Sequence, residues 1–142
     1  MLDIVSHPGE AAVLTTLASI VAGVIGVGII LIGVRFLLAP QTAAAGYGLP
    51  VEPPGAQGRA GGPYPWLYVK GVRDIASGIF LGILLASRQT HLLGDFMAAA
   101  SLIPLGDAVI VLRSGGSRAA AFGIHGVTAA LALAASAALL LA

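Results

Sequence analysis

The chain has 142 residues, of which 58% are hydrophobic and 9% charged, and its mean hydropathy is +0.99. A soluble domain carries roughly 25% charged residues, so this composition does not suit an aqueous surface, and a net charge of +1 offers nucleic acid no basic patch. With no cysteine, disulfides, thiolate catalysis and cysteine-based metal sites are excluded.

Apolar runs long enough to cross a bilayer predict four helical spans in one integral membrane domain covering residues 1–142. The first runs from about Ala11 to Ala39. It does not read as a signal peptide, because Asp3 and Glu10 stand where a basic leader belongs and the run is too long. The segment PQTAAAGYGLPVEPPGAQGRAGGPYP follows. It holds Pro40, Pro50, Pro53, Pro54, Pro63 and Pro65, six of the eight prolines, and reads as a long loop lying on the lipid headgroups. Trp66 and Tyr68 at its end suit the same interface. The second span runs from about Trp66 to Ala86, the third from Leu92 to Leu112 and the fourth from Arg118 to Leu141, joined by the tight turns SRQTH and RSGGS. The expected fold is therefore all-α: a four-helix transmembrane bundle with a long Pro/Gly-rich loop between helices 1 and 2. Arg59, Lys70, Arg113 and Arg118, with Arg35 and Arg73 deeper, gather on the loop side, while the terminal side holds Arg88. The positive-inside bias then makes the loop cytoplasmic and puts both termini outside.

Ionisable residues inside a span cost about 2.5–3.5 kcal/mol each on insertion scales, so they need partners. At 1.5 Å rise per residue, Arg73 and Asp74 lie about 10–12 Å below the basic side, and Asp107 and His125 about 9–10 Å. Arg35 sits just before Pro40. Each span thus sends a polar group to one layer. Lys70, Arg73, Asp74 and Ser77 share a helix face, and Arg118, Ala121, His125, Thr128 and Ala132 form a small-and-polar stripe on the fourth span. Gly78 and Gly82 make a small-xxx-small pair, Gly28 precedes Arg35 by a heptad, and Pro104 should loosen the third helix beside Asp107. Arg73 is the expected ion-pair partner of Asp107. The plainer readings are that Arg35, Lys70 and Arg113 snorkel to phosphates and that His125 is a hydrogen-bonded core residue.

GVRDIASGIFLGILL, PLGDAVIVLRSG, FGIHG and GVRFLLAPQTAAAGYG together resemble a family of small four-helix bacterial integral membrane proteins known as domain of unknown function 4267. The resemblance implies four helices and a shared polar layer of Arg35, Arg73, Asp74, Asp107 and His125, and supplies no activity.

Two classes of function fit these residues. In the first, the charges are architectural, in a structural or accessory membrane subunit; a small transporter protomer is a variant of this class. In the second, a membrane-embedded acid–base enzyme (isomerase, lyase or epoxide-opening) or binder handles a lipophilic small molecule. His125, Asp107 and Asp74 are then the catalytic candidates, and Arg35, Arg73, Tyr68 and Trp66 the substrate-binding ones. No cofactor or metal is expected, because one histidine with scattered aspartates does not make a metal site. The expected partners are the lipid bilayer, a lipophilic small molecule and further copies of the chain, with no nucleic acid.

Overall fold

The computed structural model describes residues 8–49 and 65–142, and these are helical with short turns between the helices. In chain order the elements are α1 (Pro8–Leu38), α2 (Pro40–Gly46), α3 (Pro65–Ser87), α4 (Thr90–Ala100), α5 (Leu102–Arg113), α6 (Arg118–Ala120), a π-helical stretch (Ala121–Gly126) and α7 (Val127–Leu141). Three continuous helical stretches are long and apolar enough to cross a membrane: Gly9–Leu38, Thr90–Arg113 and Arg118–Leu141. The 23-residue α3 has the length, but Lys70, Arg73 and Asp74 interrupt its apolar run. Large apolar side chains such as Leu17, Val24, Leu31, Ile79, Phe80 and Leu131 face outward. That is the surface a lipid environment favours, and helices satisfy their backbone polar groups internally as lipid requires.

What draws these helices together is small residues rather than bulky ones. α1 and α3 cross antiparallel through two heptad-spaced glycine pairs. A methyl on Gly33 would stand 2.6 Å from the Gly71 carbonyl oxygen, and one on Gly78 would stand 2.5 Å from that of Gly26. Nothing larger than glycine fits while the backbones stay this close. The expected Gly78–Gly82 pair is used only at Gly78, since Gly82 and Gly28 face open space. The operative spacing is seven, which keeps contacts on one seam of two nearly parallel helix axes. The core continues through Ala18, Ala22, Leu81, Leu93, Met97, Ala132, Ala135 and Leu139. The Ser136 hydroxyl donates to the Gly94 carbonyl at 2.8 Å and ties α7 to α4.

Two of the long helices are irregular at the same level of the bundle. The third stretch breaks at Ser101, between α4 and α5. Pro104 has no N–H for the carbonyl four residues earlier, that of Ala100, so the regular ladder lapses there. The Ser101 hydroxyl bonds instead to the Ala98 carbonyl at 2.6 Å. The fourth stretch widens into a π-helix over Ala121–Gly126, a feature periodicity does not forecast. A π turn changes the angular phase of the residues in it. Here His125 ends only 3% exposed.

The expected surface loop after Pro40 is corrected in its first ten residues. Pro40 occupies the first turn of α2, where its missing N–H costs nothing. Ala43 and Ala44 are buried with Phe36 and Leu67. α2 then stops in a Schellman motif: the Leu49 N–H donates to the Ala44 carbonyl at 3.0 Å, the Gly48 N–H to that of Ala45 at 3.1 Å, and Gly48 has φ of +91°. The same motif ends α5, where the Gly116 N–H donates to the Val111 carbonyl at 2.8 Å and Gly115 has φ of +77°. The two turns stack so closely that a methyl on Gly116 would lie 2.1 Å from the Gly48 carbonyl oxygen. RSGGS is thus a helix stop that holds the α2 turn against the bundle. Arg59 and Tyr64 lie outside the described residues.

Candidate functional site

The helix irregularities surround a cavity of about 320 Å³. α1 lines it with Ile25, Ile29 and Ile32, and α3 with Lys70, Asp74, Ser77 and Leu81. The broken third helix contributes Phe96, Met97, Ala100, Ile103, Pro104 and Asp107, and the fourth Ile124, His125, Thr128 and Ala132. Tyr47 reaches in from the end of α2.

Tyr47 organises the polar end. Its hydroxyl donates to Oδ2 of Asp107. Its backbone carbonyl lies 3.0 Å from His125 Nε2. A carbonyl can only accept, so Nε2 carries a proton and is the donor. Among the described residues Nδ1 has no hydrogen-bond partner, while the ring borders the cavity. The two rings meet edge to face at 4.3 Å between centroids, and Phe36 packs edge-on to Tyr47 at 5.6 Å. Lys70 Nζ lies 4.4 Å from the Tyr47 ring centroid and 5.1 Å from that of Phe36, cation–π distances for both. Burial, then the charge and hydrogen bond of Asp107, then the charge of Asp74, push the Tyr47 phenol well above its ordinary value of 10.0. It therefore stays a protonated donor at physiological pH.

The second polar pair belongs to one helix. Lys70 Nζ lies 2.7 Å from Asp74 Oδ2 and 3.0 Å from Oδ1. This corrects the expected Arg73–Asp107 ion pair: Asp107 is taken by Tyr47, and the buried cation is Lys70. At 3.6 residues per turn, Lys70, Asp74, Ser77 and Leu81 fall within an arc of roughly 60°, with Arg73 roughly 60° to one side of Lys70. Arg73 is accordingly exposed and outside the cavity wall.

Of the residues named from sequence, Asp74, Asp107 and His125 share the cavity. Arg35, Arg73, Trp66 and Tyr68 are exposed and do not line it. A family model described as a domain of unknown function (DUF4267) matches residues 26–140, a stretch that takes in every polar residue of the cavity. The chain belongs to the DUF4267 family. No curated protein and no solved structure matches it.

Sequence reasoning missed Tyr47 and undervalued Lys70 in this DUF4267 chain. The signal for Tyr47 was present in AAAGYG: an alanine run that continues a helix, then a glycine placed to cap it. A Schellman stop fixes where the preceding side chain points, and here that side chain is Tyr47. For Lys70 the signal was its i,i+4 relation to Asp74.

Proposed function

We propose that the chain is a four-span integral membrane protein, α3 being the second span, whose cavity binds a lipophilic small molecule. The apolar part of the occupant lies along Ile25, Ile29, Leu81, Phe96 and Met97, and its polar end meets Tyr47, Asp107, Lys70 and His125. The observation that carries this reading is the cavity itself, a mainly apolar chamber lined also by polar side chains from separate helices. A purely structural role fits less well. Lys70 and Asp74 sit on one helix, so their ion pair joins no two helices, and an architectural histidine would not need space beside it. The basic residues flanking the α2 and α5 turns favour a cytoplasmic location for that end of the bundle.

Decyl-chain compounds are suitable probes of the chamber. Decyltrimethylammonium or decanol should raise the Tm of the protein in detergent saturably, because binding to the folded state stabilises it. Ala132→Phe, which fills the chamber from α7, should abolish the rise. Equal shifts in the wild type and a folded Ala132→Phe protein would refute the reading.

Acid–base chemistry on the bound molecule is a second reading, favoured by the Tyr47–Asp107 contact. The phenol and carboxylate offer a proton donor and acceptor at the same end of the chamber.

A further inference from the structure

The polar end of the cavity holds one more carboxylate than it holds fixed cations. Lys70 is paired with Asp74. Asp107 lines the same space, and its polar contact is a neutral phenol. Among the described residues no cation pairs with it: the ion pair found there is Lys70–Asp74, and Arg35, Arg73, Arg113 and Arg118 are exposed away from the wall. His125 makes no ion pair with Asp107. Its Nε2 is bound to the Tyr47 carbonyl, at the other end of that residue from the hydroxyl that meets Asp107.

Asp107 is partly buried; withdrawing a carboxylate from water even in part without a counter-charge is costly, and one hydrogen bond from a phenol offsets only some of that cost. The second observation is His125, only 3% exposed, whose ring borders the same cavity while its Nε2 is held by the Tyr47 carbonyl. A carboxylate accepts hydrogen bonds and attracts positive charge; it does not suit an anion. The aromatic rings point the same way. The faces of Tyr47 and Phe36 already hold one ammonium, that of Lys70, and Phe96 lies farther along the chamber. Ring quadrupoles favour cations over neutral or anionic groups.

From this geometry we infer that the ligand is a lipophilic cation: an amine or quaternary ammonium on an apolar body, with its positive end against Asp107 and its hydrocarbon against Ile29, Leu81 and Phe96. The inference rests on the proposed binding role of the cavity and narrows it to one charge class. Lys70 does not repel such a ligand outright, because Asp74 neutralises it at 2.7 Å. An anionic lipophile such as a fatty acid is disfavoured by the carboxylate of Asp107.

The test compares decyltrimethylammonium with neutral decanol on the full chain in detergent, by Tm shift across a concentration series. The expected result is tighter binding of the cation to the wild type. Asp107→Asn should weaken cation binding on the order of tenfold or more, since truncating one partner of a buried charge pair is costly, and should leave decanol binding unchanged. Asp107→Glu keeps the charge and should keep the preference, which covers the case of an unstable asparagine variant; the wild-type comparison needs no variant at all. Equal affinity for the two probes in the wild type, or an unchanged cation affinity in Asp107→Asn, would overturn the inference. If Ala132→Phe then abolished the binding of both, the binding role would stand and only the charge class would fall. Failure of both probes to shift the wild type beyond Ala132→Phe would remove both.

Discussion

The Tyr47 hydroxyl donates to the Asp107 carboxylate and joins positions 60 residues apart in the chain. It fastens the turn after α2 to α5, while the carbonyl of the same tyrosine engages His125 on the π-helical stretch. One residue therefore links three segments around the cavity. Tyr47→Phe keeps the ring contacts with Phe36 and His125 and removes only the donor. Hydrogen bonds to charged groups contribute about 1.5–3 kcal/mol, and the variant should lose stability of that order with its helicity unchanged. In a double-mutant cycle with Asp107→Asn the two losses should be less than additive; fully additive losses would show that the pair does not interact.

The same tyrosine gives stability a pH dependence of known sign. Its folded-state pKa is raised, by burial first and Asp107 second, from an ordinary value of 10.0. A raised pKa means the folded state holds the proton more tightly than the unfolded one. The contribution is thus complete below about pH 10 and declines as pH rises above it. Chemical denaturation between pH 8 and 11 should show a steeper alkaline loss in the wild type than in Tyr47→Phe. Parallel curves would mean that the phenol is not held in this way.

The glycine seam predicts a contrast between positions of identical residue type. Gly33→Ala and Gly78→Ala push a methyl against backbone carbonyls at 2.6 and 2.5 Å and should each cost about 1–3 kcal/mol through forced separation of α1 and α3. Gly28→Ala and Gly82→Ala meet nothing within 4 Å and should be neutral or slightly stabilising, since alanine favours helix. Thermal melts of the four variants in one detergent would decide it. Equal losses at all four would remove the seam as the reason for the close approach.

The contrast between Gly82 and Gly78 also shows how far the sequence can be read. Apolar runs and rise per residue are properties of single helices, and they were enough to identify the long apolar helices and to place Asp74, Asp107 and His125 near one depth. Angular position around a helix depends on its neighbours. Arg73 shares an approximate face with Lys70 and Asp74, yet the α1–α3 seam turns α3 so that Lys70 faces inward and Arg73 outward. Composition made the segment after Pro40 a loop, although AAAGYG holds the helix and stop that carry Tyr47 to the cavity. The π-helical stretch has no comparable local signature. Its shift in phase comes from packing, and AFGIHG by itself reads as ordinary apolar helix.

Lys70 and Asp74 should behave as a unit. Lys70→Met leaves Asp74 in the cavity without its cation at 2.7 Å, and breaking a buried pair from one side costs about 3–5 kcal/mol. The pair is partly accessible, with 20% and 13% of the side-chain surface exposed, so the loss should fall below that range. Lys70→Met with Asp74→Leu removes both charges and should recover most of the stability. A double variant no more stable than Lys70→Met would show that the lysine contributes mainly through the Tyr47 and Phe36 rings.

His125 separates support of the turn from action on a ligand. Its Nε2 donates to the Tyr47 carbonyl at 3.0 Å in a site only 3% exposed. His125→Ala leaves that carbonyl without its donor and should cost about 1–3 kcal/mol. The amide nitrogen of His125→Gln reaches a position close to that of Nε2 and can make the same bond, so its Tm should stay near that of the wild type. Glutamine cannot reproduce the second ring nitrogen, Nδ1, or the aromatic ring. If the imidazole meets the bound molecule, His125→Gln should weaken decyltrimethylammonium binding severalfold while its melting curve stays close to the wild type. If the ring serves only to hold Tyr47, His125→Gln should bind as the wild type does, and only His125→Ala should lose both stability and binding.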